Sequence, residues 1–127
     1  MKTSISHEYL PEHGQVVRSN ETKVITVFHL GRPVLVEARE IAYLEGVGNY
    51  TFICTKHNRY LLSKCLRTVQ EMLNADFVRV HKSFTVNRTH IQRRNADSIQ
   101  MRGGKNIPIA RRRLASTHEA LSTSLIF

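Results

Sequence analysis

"FVRVHKSFTVNRTHI", residues 77–91, decides the fold. Its β-branched and aromatic residues alternate with polar ones, the period of strands with one buried face. Asn87 interrupts the run. An asparagine there can cap a short helical turn leading to Ile91 by accepting a backbone N–H. On the first strand, strict alternation puts Arg79 and His81 on one face and Val78 and Val80 on the other. Lys82 and Ser83 fall where that strand ends and a loop begins. The stretch holds Arg79, His81, Lys82 and Arg88 and no acidic residue. Cations on so stiff a segment can hold phosphates or reach guanine O6 and N7. A solvated strand face would present the same residues, so this stretch alone does not decide the function.

On its N-terminal side the chain continues in strands. "KVITVFHL" and "PVLVEA" are β-rich runs with a turn at Gly31-Arg32-Pro33, and "IAYLEGV" and "YTFICT" meet across Gly48-Asn49. "RYLLS" follows a turn at His57-Asn58. The period then changes. "KCLRTVQEML" places Cys65, Leu66, Val69, Met72 and Leu73 on one helical face, with Ser63 as its N-cap. On the C-terminal side, "DSIQMR" and "KNIPIA" flank Gly103-Gly104, a hairpin signal. A last helix is expected from near Arg111 through "RRRLASTHEALSTSL". Residues 1–22 are polar and aperiodic and include Pro11 and Gly14, so a flexible N-terminal arm is expected, followed by one folded domain over 23–127. The expected class is mainly β: an elongated array of short, mostly antiparallel strands in small sheets, with one internal and one C-terminal helix.

The 127 residues, 41% of them hydrophobic, fit one globular domain with a core of its own. Cys54 and Cys65 lie in apolar runs and read as reduced packing residues. No apolar stretch reaches the length of a membrane span, and the N-terminus lacks a secretory h-region, which favours a cytosolic protein. The net charge of +9 is unevenly placed. Residues 1–76 hold 9 Lys/Arg and 8 Asp/Glu, whereas residues 77–113 hold 10 Lys/Arg against the single acid Asp97. Such concentrated self-repulsion is relieved by a polyanion. Nucleic acid fits better than a membrane, because no strongly amphipathic basic helix or lipidation motif accompanies the charge.

Two further clusters carry chemistry. Arg111-Arg112-Arg113 stand at the expected start of the last helix, where cations are unfavourable by roughly 0.3–1 kcal/mol each. A phosphate there would turn the arginines and the exposed N–H groups into one anion site. Gly46-Val47-Gly48-Asn49-Tyr50 is followed by a strand, which rules out a dinucleotide fingerprint. The glycines permit a tight loop with Asn49 and Tyr50 at its tip. Asn can pair with adenine, and Tyr can contact phosphate or a thymine methyl. An ordinary strand connection would look much the same. The acids are scattered, and His81 and His90 lack partners at metal-ligand spacing. No enzymatic activity, cofactor, metal or small-molecule substrate is expected.

These landmarks, in this order, resemble the LytTR family of bacterial DNA-binding domains. The resemblance runs from about Val34 to Leu114 and rests on "EAREIAYLEGVGNYTFI", "YLLSKCLRTVQEML", "FVRVHKSFTVNRTHI" and "IPIARRR". Ala110 stands where the family usually has serine. The resemblance implies about ten short strands in small sheets, and loops rather than a recognition helix entering successive major grooves. It places DNA contacts at Asn49 and Tyr50, at His81, Lys82 and Ser83, and at Arg111 and Arg112 with Arg113 adjacent. Arg79, Arg102 and Lys105 are expected to add electrostatic support. It also implies paired direct-repeat promoter sites, occupied by two copies as a dimer on DNA. Family members usually carry a receiver domain, as response regulators of two-component systems. The chain is therefore expected to be a stand-alone transcriptional regulator or a piece of a longer one. Two other classes stay open: a protein-interaction module that sequesters a partner regulator, and an RNA- or single-strand-binding β module.

Overall fold

Among the described residues the alternating runs fold as eleven strands in three antiparallel sheets. A computed structural model describes residues 16–19 and 22–123. The first sheet has the order β1-β2-β3, from Val16–Ser19, Thr22–His29 and Arg32–Glu37. The central sheet has the order β6-β5-β4-β8-β7. Its members are β4 (Ile41–Val47), β5 (Tyr50–Thr55), β6 (Arg59–Leu62), β7 (Phe77–His81) and β8 (Phe84–Asn87). The third sheet joins β9 (Ile91–Arg94), β10 (Ser98–Met101) and β11 (Asn106–Pro108) in the order β11-β10-β9. Helix α1 spans Leu66–Glu71 and α2 spans Leu114–Thr123. Mainly β, with short antiparallel strands in small sheets and one internal and one C-terminal helix, is the architecture the sequence led us to expect.

The central sheet is covered on both faces, because each face carries its own apolar set. On one face, Leu44, Ile53, Tyr60, Leu62 and Phe77 pack with Ile25, Val27 and Val36 of the first sheet and with Leu66, Val69 and Leu73 around α1. On the other, Val80 and Val86 pack with Ile99, Met101 and Ile107 of the third sheet and with Leu121 of α2. Two hydrophobic clusters thus pin the middle sheet between neighbours, which keeps its loops on a stiff base.

Asn87 behaves as its position in the run predicts. Its Oδ1 accepts from the Thr89 N–H at 3.0 Å and the Thr89 hydroxyl at 2.8 Å, and its Nδ2 donates to the Ile41 carbonyl at 2.8 Å. It caps a 3-10 turn over Arg88–His90 while tying β8 to β4. Gly103 and Gly104, with φ of +100° and +104°, turn the β10–β11 hairpin.

Several local expectations are corrected. The stretch 1–22 contributes β1, paired to β2, while residues 1–15 and 20–21 of the expected arm lie outside the described residues. The first hairpin turns one step earlier than Gly31-Arg32-Pro33: Leu30 and Gly31 take φ of +55° and +77°, and Arg32 and Pro33 already pair with His29 and Phe28. Cys65, not Ser63, occupies the N-cap of α1. The three arginines form a 3-10 turn, Arg111–Arg113, and the α-helix proper starts at Leu114.

Candidate nucleic-acid interface

The β7–β8 turn differs from simple alternation in one decisive way. Across the ladder, Arg79 faces Thr85 and His81 faces Phe84, which leaves Val80 as an extra residue in a β-bulge. The extra residue flips the alternation, so Arg79 and His81 point to opposite faces rather than to one. Arg79 reaches under the turn. Its Nε donates to the His81 carbonyl at 2.8 Å and its Nη2 to the Lys82 carbonyl at 2.7 Å. Burial, and then the charge of Arg113, hold this guanidinium below the usual arginine range. His81 lies instead against the Phe84 ring, 5.7 Å between centroids. Its Nδ1 accepts from the Ser83 N–H at 3.0 Å. In the neutral imidazole the proton then sits on Nε2, which leaves that nitrogen as a donor. Lys82, at the apex, is exposed.

Two backbone hydrogen bonds bring the other clusters to this turn. The Gly46 N–H donates to the Ser83 carbonyl at 2.8 Å, which holds the β4–β5 hairpin against it. At the tip of that hairpin Gly48 takes φ +61°, and Asn49 and Tyr50 are exposed. The Ala110 N–H donates to the Val80 carbonyl at 2.8 Å, which hangs the arginine turn from the bulge. Ala110 provides no side-chain cap, but its carbonyl accepts from the Arg113 N–H at 2.8 Å and closes the turn. Arg111 and Arg112 are exposed, while Arg113 is half-buried. Lys105 reaches in from the β10–β11 hairpin, its Nζ 5.7 Å from the Phe84 ring centroid and 5.9 Å from that of Tyr43. Arg102 is held differently, its N–H donating to the His90 carbonyl at 2.9 Å. The fold therefore sets Arg79, His81, Lys82 and Ser83 at one turn, bonds to that region the hairpin that bears Asn49 and Tyr50 and the segment that leads into Arg111, Arg112 and Arg113, brings Lys105 to the Phe84 ring, and ties Arg102 to the 3-10 turn after β8.

Phe52, Phe77 and Phe84 are engaged within the fold. Phe77 is core, the Arg59 guanidinium stacks 3.8 Å over the Phe52 ring, and Phe84 packs partly against the second cluster. A row of open rings on a strand face, which single-strand binding needs, is not what these residues form. Arg67 was not singled out by the sequence, yet it lines the groove beside Arg79, Lys82 and Ser83. Among the described residues, no group of His, Cys, Asp and Glu is placed to hold a metal ion, and no helix is long and apolar enough to cross a membrane.

Residues 31–122 match the family of the LytTr DNA-binding domain. The chain is 35% identical over 63 residues to the heme-containing CO-sensing transcriptional regulator RcoM 2 of Paraburkholderia xenovorans, covering 49% of this chain and 24% of that protein. It is 29% identical over 84 residues to the sensory transduction protein LytT of Bacillus subtilis, covering 61% of this chain and 35% of that protein. The match thus spans about a quarter to a third of the length of these relatives. A solved chain, described as the LytTr DNA-binding domain of a methyl-accepting/DNA response regulator from Bacillus cereus, shares the fold with a TM-score of 0.67 at 23% identity, covering 78% of this chain and 95% of that one. With this match over most of its length, the chain belongs to the LytTr DNA-binding domain family.

Proposed function

We propose that the chain binds duplex DNA sequence-specifically, as the DNA-binding part of a bacterial transcriptional regulator. The observation that carries this reading is the pair of backbone bonds, Gly46 to Ser83 and Ala110 to Val80, that fasten two cationic or polar loops to a third. Loops so fixed relative to one another can read base edges in successive major grooves without paying loop-ordering entropy on binding. Asn49 and Tyr50 would enter one groove. His81 Nε2, Lys82 and Ser83 would meet the backbone and guanine edges between, and Arg111 and Arg112 the next groove. Arg79, Arg102, Lys105 and Arg113 would add positive potential. Two copies would occupy a direct repeat, dimeric on DNA. Neither metal nor cofactor is needed by this mechanism.

In vitro selection from random duplexes tests it, with a repeated motif at fixed spacing as the expected result. On the selected duplex, neutralising about six phosphates gives a slope of log K against log salt near −5. A flat salt response, or a preference for single strands over duplex, would overturn the reading. If the chain instead sequestered a partner regulator, Lys82→Ala and Arg112→Ala would leave its activity intact.

A further inference from the structure

A groove of about 390 Å³ opens between the start of α1, the β4–β5 hairpin and the β7–β8 turn. Its lining includes Arg67, Arg79, Lys82, Ser83, Gly46 and Gly48, and no carboxylate. No carboxylate in the groove faces Arg79 or Lys82. Arg79 is half-buried, and the partners described above are two neutral carbonyls. Burial and the nearby Arg113 both act against its charge. A cation desolvated without a counter-ion is held in place at a cost, and an anion brought beside it relieves that cost. Arg67, on the opposite wall, meets Glu71 at 3.4 Å with 83% of its side chain exposed. A pair that open is worth little and exchanges readily for a better anion. At the rim, a Cβ on Gly48 would meet nothing within 4 Å, so the backbone there is open to approach.

We propose that this groove seats one phosphate of the bound duplex, with Arg67 and Lys82 on either side and Arg79 beneath. The seat deepens the DNA-binding reading and rests on it. It adds a contact from α1 that fixes how deeply the β7–β8 turn enters. The recognised chemistry is a phosphate oxyanion, and a free phosphate ion shares it, so the test has two arms.

In the first arm, the full chain and Arg67→Ala are titrated with the selected duplex over a range of salt. A phosphate lost from the contact set lowers the magnitude of the salt slope by about 0.9, and weakens binding about equally across sequences. Methylphosphonate replaced one position at a time should reveal one phosphate whose neutralisation costs the wild type as much as Arg67→Ala does and costs the variant nothing more. Glu71→Gln should tighten binding, because it frees Arg67 and removes a like charge from the phosphate; a merely structural role of Arg67 in α1 would not move in that direction. In the second arm, inorganic phosphate replaces chloride at constant ionic strength. The amide resonances of Gly46, Arg67, Lys82 and Ser83 are then followed in wild type and in Arg67→Ala. Saturable shifts that vanish in the variant, without a slope change on DNA, would reassign the seat to a free ion and overturn the duplex contact. An unchanged slope together with unmoved resonances would overturn the seat altogether while leaving sequence-specific binding standing. A chain that bound no duplex would sink the DNA reading, and the seat as a duplex contact with it.

Discussion

The Ala110 N–H donates to the Val80 carbonyl over 2.8 Å, and Val80 is the residue that the β7 bulge leaves unpaired across the ladder. The bulge thus supplies the free carbonyl from which the arginine turn hangs. Ala110→Pro tests this coupling. Ala110 sits at φ −63° and ψ 141°, which suits proline, but the ring would stand where the N–H meets the Val80 carbonyl, so the donor is lost and the carbonyl must move away. Proline at a hydrogen-bonded N–H destabilises, here by more than the lost bond alone, which is worth about 0.5–1.5 kcal/mol. Denaturant titration should therefore show lower stability, and under conditions where the variant is still fully folded its affinity for the selected duplex should fall. An unaltered affinity would show that the arginine turn needs no anchor.

A second coupling runs through Gly46. A Cβ added there would meet the Leu66 Cβ at 3.0 Å and its Cδ2 at 3.3 Å. Leu66 is buried in the first cluster at the start of α1, so it has little room to yield. Gly46→Ala should destabilise the fold by about 1–3 kcal/mol, as overpacking does, by pushing α1 away from β4. Gly48→Ala meets no such neighbour, and any cost there comes from its φ of +61°. Paired urea melts of the two variants check the distinction.

The positions proposed to read bases give a third expectation. Arg112 and Asn49 are exposed and belong to neither hydrophobic cluster, so truncation should leave the melting temperature unchanged. Arg112→Ala and Asn49→Ala should each weaken binding by about 1–3 kcal/mol for a base pair no longer read, and relax sequence preference at that position. Lys82→Ala, if Lys82 meets phosphate, should weaken all sequences alike. Repeating the selection with each variant separates the two patterns.

Much of this arrangement was legible because its signals are local. Asn87 capping its turn, the glycine hairpins and the packing face of α1 follow from spacing and residue type within a few positions. The bulge at Val80 was not legible, since register is fixed by which residue of β8 each residue of β7 meets, and nothing in "FVRVH" marks the extra one. Strand β9 was missed for a related reason. "IQRR" holds one apolar residue, and its three polar residues are exposed, so its strand character comes from pairing with β10 alone. At α1, Ser63 has the better capping chemistry, yet the chain starts the helix at Leu66, where that side chain enters the core. The cationic clusters stood out in the sequence, whereas Arg67 did not, because only the packing of α1 against β4 brings it to the turn.

Alkali offers a further test. Burial, with Cys54 beside it, pushes the Tyr43 phenol up to about 12. In the unfolded chain a tyrosine ionises near 10, so folding favours the protonated form. The resulting stability is fully present below pH of about 10 and is lost as the pH climbs from there toward 12. A phenolate absorbance titration should show a late component toward pH 12, and Tyr43→Phe should remove that component and flatten the alkaline fall in stability. A Tyr43 phenol that ionised near 10 would contradict its burial against Cys54.

The last expectation concerns a hydroxyl with no partner. Thr117 lies in α2 with 1% of its surface exposed, and its Oγ1 meets no hydrogen-bond partner. A buried hydroxyl left unpaired costs about 1–3 kcal/mol. Thr117→Val keeps the branched shape and replaces the hydroxyl with a methyl. The β-branched pair differ little in helix propensity, so the change should register almost wholly as relief of that cost. The variant should therefore melt higher, with DNA affinity unchanged because Thr117 faces the interior and none of the loops. Thr117→Ala separates the alternatives: it also removes the unpaired oxygen but leaves a void, and should fall below the valine variant. A valine variant that melts lower than wild type would mean that the hydroxyl is satisfied in solution, by a water held within the packing of α2.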